Sequence, residues 1–126
     1  MNYVLVTQED VKNELDIDIA QELNLQPKQS ERWLARIALI IINHIASYAF
    51  GGIEQVNRML ENEECRKIVK EAIIEQIDFL SENNYVQADK VMNTGKGQVA
   101  MPVIAPLAHQ MLMNAGLLFT GKVFNL

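Results

Sequence analysis

The run from Pro27 to Phe50 constrains the fold more than any other part of this chain. Trp33, Ile37, Ile41 and Ile45 recur every fourth residue, which sets them on one helical face. Leu34, Ala38, Ile42 and Ala49 widen that face. Pro27 suits the first helical position, where its missing N–H leaves no bond unmade, and Gly51-Gly52 is placed to close the C-terminus. The opposite side, Arg36, Ile40, Asn43 and Ser47, is not cleanly polar. A helix apolar nearly all round is buried on most sides. In a chain of 126 residues, enough for one modest core, this predicts a central helix or one whose second side meets another subunit.

The flanking segments read as further helices. Thr7 is placed to cap a helix from Gln8 to about Leu15, with Asp10 in a capping-box position and Val11 and Leu15 facing inward. Ile17, Ile19, Leu23 and Leu25 predict a brief helical turn between Asp16 and Gln29. Ile53 to Leu60 holds one or two turns. Asn62 then caps a second long helix running to about Ser81. Its buried stripe is Val69, Ile73, Gln76, Ile77 and Leu80, and Glu63–Lys67 and Lys67–Glu71 are spaced to pair on its surface.

Tyr85 to Val103 is a long connection, in which Tyr85-Val86-Gln87 and Gln98-Val99-Ala100 are candidates to pair around Gly95-Lys96-Gly97. Pro106 starts a last helix that stops at Gly116. A short β-prone tail, Leu117 to Leu126, follows. The expected architecture is an all-α bundle of about four helices over 1–116, with a long loop or small hairpin before the last helix. Residues 117–126 are expected to form an extended docking tail.

Several function classes are disfavoured. Net charge is −5, which argues against a phosphate-neutralising nucleic-acid surface. One cysteine, Cys65, allows no intrachain disulfide. The N-terminus lacks the basic region of a secretory signal, and the most apolar stretch is too short and too polar to span a bilayer, so no membrane role is expected. Gly95-Lys96-Gly97 fails the phosphate-loop spacing, with Lys90 where the first glycine belongs and Gly97 where Ser or Thr would bind magnesium. His44 and His109 have no partner at zinc-ligand spacing, and each reads as a half-buried helical histidine. The acids around Asp16 and Glu63 do not match a calcium loop. No catalytic residue, cofactor or metal is expected, and the chain does not read as an enzyme.

The order of elements carries a resemblance. A short N-terminal helix opening Val6-Thr7-Gln8-Glu9-Asp10-Val11-Lys12 leads to a long apolar helix, a Gly-Gly turn, a second long helix and a polar loop. The chain then closes with Ile104-Ala105-Pro106-Leu107-Ala108-His109-Gln110-Met111-Leu112 and Ala115-Gly116-Leu117. This resembles the head-to-tail connector proteins of long-tailed bacteriophages, also called adaptor or head-completion proteins. The resemblance implies a virion protein of the phage neck, made in the bacterial cytoplasm. Such a protein forms a homo-oligomeric ring under the dodecameric portal protein, extends the DNA channel and presents a surface to a stopper or tail protein. Ring assembly needs two different patches per subunit. Arg36, Ile40 and Asn43 are candidates for one, and Leu117, Leu118, Phe119, Val123 and Phe124 for apolar anchors on the portal, by strand addition. An acidic chain suits a channel wall that DNA slides past without sequence-specific grip.

A small helical regulatory or DNA-binding module is the competing reading. The helices joined at Gly51-Gly52 have the outline of a helix-turn-helix, but Ile53 to Leu60 carries Arg58 as its one base. A small enzyme would need Cys65 brought to His44 or His109.

Overall fold

The computed structural model describes residues 5–85, 89–94 and 97–118. Over these residues the fold is the all-α bundle that the periodicity predicts, built from six helices rather than about four. They are α1 (Gln8–Leu15), α2 (Ile19–Glu22), α3 (Pro27–Ala46), α4 (Gly52–Met59), α5 (Glu63–Glu82) and α6 (Pro106–Asn114). The additional two, α2 and α4, are the stretches read from sequence as isolated turns.

α1 starts where its cap predicts. The Asp10 backbone N–H donates to Thr7 Oγ1 at 3.1 Å, and the Thr7 N–H donates to Asp10 Oδ2 at 2.9 Å, closing a capping box. Asp10 Oδ1 accepts from Lys70 Nζ at 3.0 Å, which ties α1 to α5. The surface pairs Glu63–Lys67 and Lys67–Glu71 are not closed. Burial pushes the Asp10 carboxyl upward, but the Thr7 N–H and the Lys70 ammonium together outweigh it and hold the group below the usual carboxylate value. A carboxyl held low stabilises the fold above about pH 4, and that contribution is lost as pH falls through the folded value. Asp10→Asn is expected to cost about 1 kcal/mol at pH 7. It should also flatten the decline in stability towards pH 3, as read by urea titrations followed by circular dichroism.

α3 ends earlier than its sequence suggests. The expected closure at Gly51-Gly52 is corrected to Ala46, with Ser47 as the cap. Ser47 Oγ donates to the His44 carbonyl at 2.6 Å, and Tyr48 and Ala49 donate to carbonyls three residues back. The helix therefore tightens into a shorter-pitch turn. Gly52, at φ +59°, opens α4 instead. Only its left-handed backbone requires glycine; a Cβ there would meet open space.

Three chain reversals share one device. After α2, α5 and α6 a left-handed residue (Asn24, Asn84 and Gly116) is followed by one whose N–H returns to the carbonyl five residues earlier. The bonds are Leu25 to Ala20, Tyr85 to Leu80 and Leu117 to Leu112. This is the Schellman closure, which brings an apolar residue just past the helix end back onto its last turns.

The core gathers around α5, which packs against α1, α3 and α6. Val69, Ile73, Ile77 and Leu80 from α5 meet Leu34, Ile37, Ile41 and Ile45 from α3 and Ala108 and Leu112 from α6 in one apolar cluster. Before α6, strands β1 (Asp89–Thr94) and β2 (Gly97–Pro102) form an antiparallel ribbon with Thr94 opposite Gly97 and Asp89 opposite Pro102. The expected first strand, Tyr85-Val86-Gln87, is thus displaced along the chain; Tyr85 is taken up by the α5 closure, and Val86 and Gln87 lie outside the described residues.

From the ribbon the chain enters α6 through Val103, Ile104 and Ala105, whose backbone belongs to no helix or strand. Gln76, fully buried on α5, supplies the missing bonds. Its Nε2 donates to the Val103 carbonyl at 3.1 Å, and its Oε1 accepts from the Ala105 N–H at 2.7 Å. A glutamine in an otherwise apolar stripe is here a clamp on the backbone of the next element.

Candidate functional site

The exposed face of α3 carries the residues singled out for a subunit interface. Arg36 and Asn43 are exposed, and Ile40 is half-buried against the edge of the core. Between them lies Leu39, 52 % exposed, which sequence reasoning passed over although it falls on the same side. Beside it runs a groove of about 670 Å³, lined by Leu5, Val6, Leu34, Ala38, Leu39 and Ile42, with Glu9 and Glu31 also contributing. A second apolar feature stands at the turn between α3 and α4, where Phe50 is 72 % exposed and Ile53 is also exposed. Large apolar side chains in water carry an unfavourable hydration free energy that a partner surface relieves.

The proposed tail anchors divide. Leu117 and Leu118 are 6 % and 5 % exposed and belong to the core, so the boundary at residue 116 and their role as free anchors are corrected. The physical reason is the Schellman closure at Gly116, which folds the following residue back onto α6. Phe119, Val123 and Phe124 lie outside the described residues.

The structure brings together two residues that the sequence treats separately. His44 near the end of α3 and His109 in α6, 65 positions apart, meet with His44 Nε2 and His109 Nδ1 at 2.9 Å. Their ring centroids are 5.1 Å apart at an interplanar angle of 61°, and the Tyr48 ring stands T-shaped to that of His44 with centroids 5.4 Å apart. Both histidines are half-buried. Burial, and then the charge of His109, hold the His44 imidazole below its usual value. No local signal marks this pairing, because it depends on how α6 lies across the bundle.

Other candidates stay apart. Cys65 is a half-buried free thiol in the first turn of α5, and the histidines bond each other rather than it. Gly95 and Lys96 of the glycine–lysine loop lie outside the described residues, and Gly97 takes part in the ribbon. Glu75 on α5 is pushed upward by burial and by the neighbouring Asp78 and Glu82 carboxylates. Among the described residues no group of three His, Cys, Asp or Glu is arranged to hold a metal, and no helix is long and apolar enough to cross a membrane.

No protein-family model matches the chain, and neither does any curated protein or solved structure.

Proposed function

We propose that this chain is a structural protein of the neck of a long-tailed bacteriophage, assembling as a ring beneath the portal and passing DNA without gripping it. The observation that carries this reading is the presence of two different apolar patches on one small subunit. One is Leu39 on α3, bracketed by Arg36 and Asn43; the other is Phe50 and Ile53 at the turn beyond that helix. Unlike patches that meet head to tail generate a ring when the rotation closes. A net charge of −5 fits a wall that must not bind phosphate. The order of helices and the closing Ala115-Gly116-Leu117 support the same reading by resemblance.

The test is cryo-electron microscopy of the chain mixed with the portal protein of the same phage. The expected result is a ring of density under the portal, with Leu39 buried between neighbouring subunits and residues 119–126 ordered against the portal. A chain ending at Leu118 is expected to fold but not to attach. Leu39→Asp is expected to weaken ring formation by about tenfold or more, since it places an unpaired charge in the interface. Absence of bound density where the chain is folded overturns the proposal. Salt-dependent duplex binding in a gel shift would instead favour the DNA-binding module.

A further inference from the structure

The His44–His109 contact has a chemistry of its own, independent of any portal. An imidazole–imidazole hydrogen bond needs one N–H and one lone pair. Two neutral rings satisfy this, with one nitrogen at the contact protonated and the other not. A pair carrying one extra proton satisfies it as well, since an imidazolium donates to a neutral acceptor and the bond gains charge assistance. A second proton removes the last lone pair at the contact. It leaves two donors facing each other at 2.9 Å and two positive charges on rings whose centroids are 5.1 Å apart.

Among the described residues that second charge has no carboxylate bonded to it. Tyr48, just past the end of α3, is the neighbouring titratable side chain, its ring T-shaped to that of His44 and tilted to that of His109. From α6 the facing group is His109 itself. α5, on which α6 lies, contributes apolar side chains and Gln76, whose amide is committed to Val103 and Ala105, and carries Lys67, Lys70, Glu71 and Glu75 along the groove that they share with Met111 of α6. Among the described residues no Asp, Glu or Lys is hydrogen-bonded or ion-paired to either ring.

We propose that His44 and His109 form a two-proton latch, which holds α6 against α3 while the pair carries no more than one extra proton and opens when both rings are charged. The latch spans 65 residues and joins two helices that otherwise meet chiefly through α5. Its opening therefore loosens α6 at His109 without unpacking Ala108 and Leu112, which sit in the core. The sign agrees with the electrostatics of His44. A histidine held below its unfolded value stabilises the fold fully above about pH 6.5, and that contribution is lost as pH falls towards the folded value.

The experiment follows the ring nitrogens of both histidines in the ¹⁵N-labelled full chain by NMR between pH 8 and 4.5. Two coupled macroscopic steps are expected, separated by at least one pH unit, which is about a tenfold difference in proton affinity. The backbone amide signals of Ala108 to Met113 are expected to move with the second step and not with the first. His44→Gln with His109→Asn retains a neutral donor and acceptor in similar positions and is expected to abolish the α6 response. Independent titration of the two rings near the usual value, with α6 unmoved, would overturn the latch. So would an equimolar addition of Zn²⁺ at pH 7.5 that shifts both rings together, which would make the pair a metal site. If the double variant fails to fold, the titration of the unmodified chain still decides.

Discussion

Replacing Leu117 and Leu118 together by alanine is expected to lower the unfolding free energy by about 4 kcal/mol. Each leucine is almost wholly buried, Leu117 at 6 % and Leu118 at 5 %. Leu117 is also the residue whose N–H closes α6 by returning to the Leu112 carbonyl at 3.0 Å. The substitution keeps that bond but empties the pocket that the closure fills, so the loss is one of packing. Urea titration followed by circular dichroism reads it directly. A change below about 1 kcal/mol would show that these side chains lie outside the cooperative core, as expected of a detachable tail. The result therefore separates a core that extends through Leu118 from one that ends at Gly116.

The second large effect is expected at Gln76. Gln76→Leu preserves approximate size and adds apolar surface, and a simple burial argument would predict little change. Yet the amide serves two backbone groups at once, the Val103 carbonyl and the Ala105 N–H. Removing it leaves both without a partner inside the protein, at about 1–3 kcal/mol for each group that stays buried. Part of this is recovered where water reaches Val103, which is half-buried. A net destabilisation of about 3 kcal/mol follows, measurable in the same titration. Gln76→Glu separates the two bonds, since a carboxylate still accepts from Ala105 but offers no donor to Val103. It should fall on the destabilised side as well, because an ionised carboxylate buried here lacks a counter-charge.

Much of the helical frame was legible because its signals are local. Thr7 with Asp10, Pro27, Asn62 and Pro106 mark helix starts through bonds or backbone angles that involve neighbours three or four residues away. The inward stripe of α5, including Gln76, follows from the helical period alone. Errors cluster where local signals compete. Gly51-Gly52 has the composition of a C-cap, but Ser47 bonds back to His44 and ends α3 first, leaving Gly52 to begin α4. Leu117 and Leu118 look like the start of an apolar tail. The missed signal was the glycine before them, since an apolar residue directly after a left-handed Gly116 is the mark of a closure that packs inward.

The candidate site was less legible for a different reason. Arg36, Ile40 and Asn43 follow from helical geometry once the inner face of α3 is known. The exposure of Leu39 depends on which side α2, α4 and α5 leave uncovered, which is a tertiary outcome. The meeting of His44 and His109 is set by the path of the chain through the ribbon and the Gln76 clamp. No spacing within either helix encodes it.

The placement of the one tryptophan has a practical consequence. Trp33 lies near the start of α3 and packs edge-on against Tyr85, with ring centroids 6.2 Å apart, where the closure after α5 brings the chain back to that helix. His44 stands eleven positions further along, about 16 Å up the same axis. The intrinsic emission of this protein therefore reports on one end of the bundle. Acidification that frees α6 alone should leave the emission spectrum unchanged, whereas a red shift marks the separation of α3 from α5 and the loss of the fold itself.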